Sequence, residues 1–158
     1  MLYDFNAADI FEIAKQLEGN GAEFYRIAAK TAKDDNAREL LLGLAVMEDD
    51  HQKIFTQMQS RLTASEKTAM VFDPEGEAAG YLKALADTCV FFEKKIDTSS
   101  MEAILKDAIT AEKDSIVFYL GMREVVPEKQ GRSRLDDVIK EEMGHIRLLS
   151  KELTTQKK

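Results

Sequence analysis

The chain contains two histidines in 158 residues, and both occur in the same setting. His51 follows Glu48 by three positions and His145 follows Glu142 by three, while each of those glutamates follows another, Glu18 or Glu112, by 30. Displacing the sequence by 94 residues superposes the whole set, Glu18 on Glu112, Glu48 on Glu142 and His51 on His145, and carries Phe24-Tyr25 onto Phe118-Tyr119. The rest of the two segments is only weakly alike, so the coincidence is concentrated in side chains that can bind or line a metal site. Any fold for this chain must accommodate two copies of one unit.

Apolar residues around these positions recur at helical spacing. Ile10, Ala14, Leu17, Gly21, Phe24 and Ala28 mark a first helix that begins at Asn6, with Asp9 in a capping arrangement, and runs to about Lys30 through Gly19 and Gly21. Lys33-Asp34-Asp35-Asn36 supplies a turn and an N-cap, and Leu41, Leu44, Glu48, His51, Phe55, Met58 and Leu62 form the inward stripe of a second helix. The pattern then lapses. Asp73-Pro74-Glu75-Gly76 marks a turn, and a shorter helix is expected from about Glu77 to Lys95.

Thr98-Ser99-Ser100 with Glu102 caps a third long helix carrying Leu105, Ala108, Glu112, Ser115, Phe118 and Met122, which Pro127 halts. The fourth runs from Ser133 to about Leu153 with Leu135, Val138, Glu142, His145 and Leu149 inward, before a fraying tail at Gln156-Lys157-Lys158. The expectation is therefore an all-α single domain over residues 1–158: a hairpin over about 6–63, a crossover over about 64–98 and a second hairpin over about 99–154.

Geometry then brings the special residues together. The midpoints of Glu18–Glu48 and Glu112–Glu142 fall at residues 33 and 127, the two interhelical turns, so each pair sits level across its hairpin. With a rise of about 1.5 Å per residue, both pairs lie about 22 Å from their turns, near mid-helix. A spacing of i to i+3 puts each Glu and His on one helix face. One Glu-x-x-His alone reads as a buried pair holding a helix interface. Two of them with two further glutamates would place four carboxylates in one dry core, where they repel unless cations bind them. One Glu from each of two helices plus Glu-x-x-His from the other two is the ligand pattern of dimetal carboxylate bundles. Four negative charges nearly neutralise two divalent ions, carboxylates can bridge, and neutral imidazole suits iron, zinc or manganese. Calcium, which prefers all-oxygen shells, fits poorly.

Composition narrows the function further. A net charge of −7 without a basic cluster excludes an electrostatic footprint for nucleic acid. Cys89 is the only cysteine, so no intramolecular disulfide or thiolate cluster can form, which fits a reducing cytoplasm. No signal-peptide pattern follows Met1, and the most apolar run, Leu40 to Met47, is too short to span a bilayer. Tyr25 and Tyr119 lie seven residues beyond proposed ligands and share their faces, where they can hydrogen-bond ligand carboxylates or carry an electron, or simply pack. Glu141 competes with Glu142 as a ligand, but only Glu142 obeys the 94-residue offset. Glu23, Asp49, Asp50 and Asp114 fall on solvated faces, and Met47 and Met143 read as core filling rather than as sulfur ligands for copper.

Leu17-Glu18 with Gly21 and Phe24-Tyr25, Met47-Glu48 with His51, and their echoes at Glu112, Phe118-Tyr119, Glu142 and His145 resemble the rubrerythrin-like branch of the ferritin-like diiron-carboxylate superfamily. The resemblance covers nearly the whole chain. It implies an up-down-down-up four-helix bundle and a diferrous centre on Glu18, Glu48, His51, Glu112, Glu142 and His145. It also implies an oxidoreductase that reduces dioxygen or hydrogen peroxide, with two iron ions per chain, for which manganese or zinc can substitute. Two departures stand out. The 158 residues include no four-cysteine rubredoxin-like domain, so electrons come from ferrous iron or another donor, and Ser115 stands where those enzymes usually carry a further glutamate. An iron-storage ferroxidase and a bundle that metal only stabilises are the alternative readings. A soluble cytoplasmic homodimer is the expected assembly, with no nucleic-acid or membrane partner.

Overall fold

A computed structural model describes residues 6–62, 76–89, 97–126 and 128–157, and among them five α-helices form: α1 (Ala7–Thr31), α2 (Asp35–Ser60), α3 (Glu77–Thr88), α4 (Met101–Val125) and α5 (Arg132–Gln156). A single 3-10 turn, Glu128–Gln130, precedes α5. No strand occurs among the described residues, and none of their helices is long and apolar enough to cross a membrane.

Local chemistry sets most helix ends. Asn6 is extended (φ −113°, ψ 177°); its side chain accepts from the Asp9 amide at 3.1 Å and its own amide donates to the Asp9 carboxylate at 2.9 Å, the reciprocal cap expected of that pair. Asp34 caps α2 by accepting from the Asn36 amide, and Gly19 and Gly21 leave α1 unbroken. At α4 the cap is Ser100, which accepts from the Ala103 amide at 3.0 Å. Glu102 takes no part in that cap, contrary to the sequence reading. It lies one position short of the residue whose amide a capping oxygen reaches, and pairs instead with Lys106 at 2.6 Å.

The start of α5 also differs from expectation. Helix begins at Arg132 rather than Ser133, because Gly131 adopts φ +106° and turns the chain without a side-chain cap. Its far end extends through Gln156, beyond the expected Leu153. Helix α3 ends at Thr88, short of Lys95, and residues 90–96 lie outside the described set, as do Met1–Phe5, most of the expected 73–76 turn, and Pro127.

Two apolar clusters define the topology. One joins Ile10, Phe11 and Leu17 of early α1 to Phe55 and Met58 of late α2, Phe118 and Met122 of late α4, and Leu135 and Val138 of early α5. The other joins Phe24 and Ala28, Leu41 and Leu44, Leu105 and Ala108, and Leu149, from the opposite helix ends. Early α1 therefore meets early α5 but late α2 and late α4, which is an up-down-down-up bundle. Burying each of these Leu, Ile or Phe side chains contributes about 1.5–3 kcal/mol. Leu82, Ala86 and Cys89 close the first cluster from the crossover, and α3 can approach α4 closely because position 121 is glycine: a Cβ there would stand 2.9 Å from Leu82. Packing is extensive within each hairpin and sparse between α2 and α5. Met58 and Met122 fill the core, but Met143 is 47% exposed and Met47 half-buried, which corrects the assignment of those two as core.

Opposite outcomes are expected at two glycines. Alanine at position 131 would hold a Cβ at positive φ and 3.1 Å from Met58 Cε, so Gly131→Ala is expected to cost about 1–3 kcal/mol. Gly43 lies inside α2 with nothing within 4 Å of the place a methyl group would take, and it is expected to gain about 0.5–1 kcal/mol as alanine. Urea midpoints should move apart, and a shift of the same sign in both variants would refute this account.

Candidate metal centre

All six charged or imidazole side chains singled out by the 94-residue offset converge between the two apolar clusters. Glu18, Glu48, His51, Glu112, Glu142 and His145 are each 2% exposed or less. Glu18 comes from α1 and Glu112 from α4, while the i, i+3 pairs come from α2 and α5. Ligand atoms fall into two groups, each within 4.8 Å: Glu18, Glu48, His51 and Glu142 in one, and Glu48, Glu112, Glu142 and His145 in the other. Glu48 and Glu142 belong to both.

The oxygens divide in an orderly way. Glu142 presents Oε1 to His51 Nδ1 at 3.1 Å and Oε2 to His145 Nδ1 at 2.8 Å. Glu48 presents Oε1 to His145 Nδ1 at 3.2 Å and Oε2 to His51 Nδ1 at 3.8 Å. Each of these carboxylates thus spans both imidazoles. Glu18 reaches only His51, at 3.5 Å, and Glu112 only His145, at 3.3 Å. The imidazole rings lie 5.7 Å apart and nearly parallel.

Both tyrosines join the site. Tyr25 donates its hydroxyl hydrogen to Glu112 Oε1 and Tyr119 donates to Glu18 Oε1, each crossing from one hairpin to the other. The 94-residue offset carries one bond into the other, as it carries His51–Glu142 into His145–Glu48, so the duplicated sequence becomes a pseudo-two-fold arrangement around the pocket. Burial, reinforced by the nearby carboxylates, pushes both phenols well above their usual range, so they stay neutral donors.

Electrostatics show what the pocket needs. Burial first, then repulsion from neighbouring carboxylates, pushes Glu48 and Glu142 well above the ordinary carboxylate range. Burial acts the same way on Glu18, but hydrogen bonds involving Glu48, His51 and Tyr119 outweigh it and leave that carboxyl low. Burial lowers the two imidazoles, yet the surrounding glutamates prevail: His145 is pushed up to about 12 and His51 is likewise raised. Glu18 Oε2, Glu48 Oε1, Glu112 Oε2, Glu142 Oε2 and His145 Nδ1 are nonetheless buried without an aligned hydrogen bond. Close approach without alignment is what ligand atoms aimed at a common ion show, and a donor set of carboxylates with two imidazoles suits iron, manganese or zinc. The residues present fit a pair of divalent cations.

Glu142, the residue preferred by the 94-residue offset, stands inside the pocket, and Glu141 lies outside it. Glu141 is not an alternative to Glu142; it reaches the outer edge of His51, where Nε2 donates to its Oε2 at 2.6 Å. The available signal was the antiparallel register of α2 and α5, which sets 51 opposite 142 and so leaves 141 to pass round the ring. Asp49, expected on a solvated face, forms an ion pair with Arg26 that ties α1 to α2, whereas Glu23 and Asp50 are exposed as expected. Ser115 is buried one turn beyond Glu112.

Comparison with known proteins agrees with this geometry. No match was found among curated proteins. A solved structure from Thermotoga maritima, described as a candidate ferritin-like diiron-carboxylate protein, superposes with a TM-score of 0.71 at 23% identity, covering 98% of each chain. The fold is thus the ferritin-like four-helix bundle. A sequence model of the family Rubrerythrin matches residues 9–153. With almost the whole chain so matched, this protein belongs to the rubrerythrin family.

Proposed function

We propose that this chain is a diiron oxidoreductase that reduces hydrogen peroxide or dioxygen, drawing electrons from ferrous iron or from a separate donor. One observation carries the reading: Glu48 and Glu142 each turn one oxygen to each histidine, so that both carboxylates would be available to a pair of ions. Glu18 and His51 would hold one ion and Glu112 and His145 the other, with Glu48 and Glu142 available to both. When bound, two ferrous ions would supply Lewis acidity and the two electrons that, with two protons, convert one hydrogen peroxide to two waters.

The protein's own contribution is to position and to exclude. Tyr119 and Tyr25 hold Oε1 of Glu18 and Glu112, while Glu18 Oε2 stands 3.5 Å from His51 Nδ1 and Glu112 Oε2 is buried without a hydrogen bond. Their neutral hydroxyls keep a proton on the phenol oxygen rather than surrendering it to the carboxylate. Phe24, Phe55 and Phe118 pack against these rings or beside them and keep bulk water from the carboxylates.

Anaerobic loading is expected to give two irons per chain, and mixing with hydrogen peroxide or dioxygen should oxidise them faster than iron in buffer. Loading to two irons without accelerated oxidant consumption would defeat the oxidoreductase reading. Glu48→Gln is expected to hold fewer than two irons and to lose that acceleration.

Cations must displace protons from the raised Glu48, Glu142, His51 and His145 groups, so affinity should increase as pH rises. Calorimetry in buffers of different ionisation enthalpy should register proton release; binding without it would contradict the ligand assignment. Tyr119→Phe leaves Glu18 Oε1 without its donor, and an affinity loss of about 10–100-fold is expected by competition with a chelator.

A further inference from the structure

Residue by residue, the inner contacts of the pocket obey the pseudo-two-fold relation, but the outer edges of the two histidines do not. His51 Nε2 bonds the Glu141 carboxylate at 2.6 Å. The residue related to Glu141 by the 94-residue offset is Met47, whose thioether is at most a weak acceptor. His145 Nε2 is buried and has no hydrogen-bond partner among the described residues. Beside it runs a groove of about 540 Å³ between α2 and α5, lined by Met47, Gly144 and Leu148 together with Glu141, Arg147 and Lys151. One imidazole thus has a carboxylate bonded to its outer nitrogen, and the outer nitrogen of the other has none.

We propose that Glu141 is a positioning residue that makes the two metal positions unequal, so that the ion on Glu18 and His51 binds first and more tightly than the ion on Glu112 and His145. This rests on the dimetal reading above. A carboxylate that accepts the Nε2 hydrogen fixes the tautomer that leaves Nδ1 as a lone pair aimed inward, and makes that nitrogen a stronger donor to a cation. His145 gains neither effect from Met47. Glu48 and Glu142 are shared by both positions and cannot produce the difference.

Calorimetric titration of the full chain with Co²⁺ is expected to show two steps, with NMR of ¹⁵N-histidine-labelled protein placing the first equivalent at His51. Glu141→Gln is nearly isosteric and its site is half-exposed, so the fold is retained; it should weaken the first step about 10–100-fold and leave the second nearly unchanged. Met47→Glu should strengthen the second step and bring the two closer. Equal steps in the parent chain, a first ion at His145, or two steps indifferent to Glu141→Gln would each overturn the inequality while leaving the dimetal centre standing. Uptake of fewer than two ions would instead overturn the dimetal reading itself.

Discussion

Repulsion among four carboxylates sealed inside one bundle is the constraint to which the rest of this structure answers. Two unit charges 4 Å apart interact by about 4 kcal/mol at an effective dielectric of 20, and the pocket holds several such pairs. The two apolar clusters make matters more severe, because they sit above and below the glutamates and keep the dielectric low. A bundle this small has a net stability of only about 5–15 kcal/mol, so such a cluster persists only if other groups offset its charge. Protons, imidazolium rings and metal cations can all do so, and only the last use every oxygen that points inward.

The division of labour among the carboxylate oxygens follows from that constraint. Tyrosine hydroxyls hold one oxygen each of Glu18 and Glu112, and each hydroxyl comes from the opposite hairpin. These two bonds therefore fasten the hairpins to each other in a bundle whose α2 and α5 touch little. The same contacts that orient ligands also close the fold, which couples the site to the packing of the halves.

The ligand cluster was legible in the sequence because an i, i+3 spacing on a helix fixes a face, and a common offset in two segments fixes a common depth. Helix ends were less so. The last helix was expected from Ser133, but the turn before it takes a positive φ that glycine supplies at 131, and helix follows at once from Arg132. Met143 follows Glu142 directly, and its hydrophobicity suggested the core although the helical turn carries it outward to 47% exposure. Glu141 escapes a sequence reading for a deeper reason. Periodicity assigns faces one helix at a time, whereas the role of Glu141 is set by the neighbouring helix and by the open seam through which a half-exposed side chain can reach a buried ring.

The pseudo-two-fold has a consequence for how such a site can diversify. Two separate copies of a single hairpin could assemble the same six ligands, but every substitution would then appear twice and the two ions would remain equivalent by symmetry. Joining the halves through the crossover removes that restriction. Position 47 can be methionine while position 141 is glutamate, and the two sides of one cavity can be tuned independently, a freedom that only covalent linkage of the repeats confers.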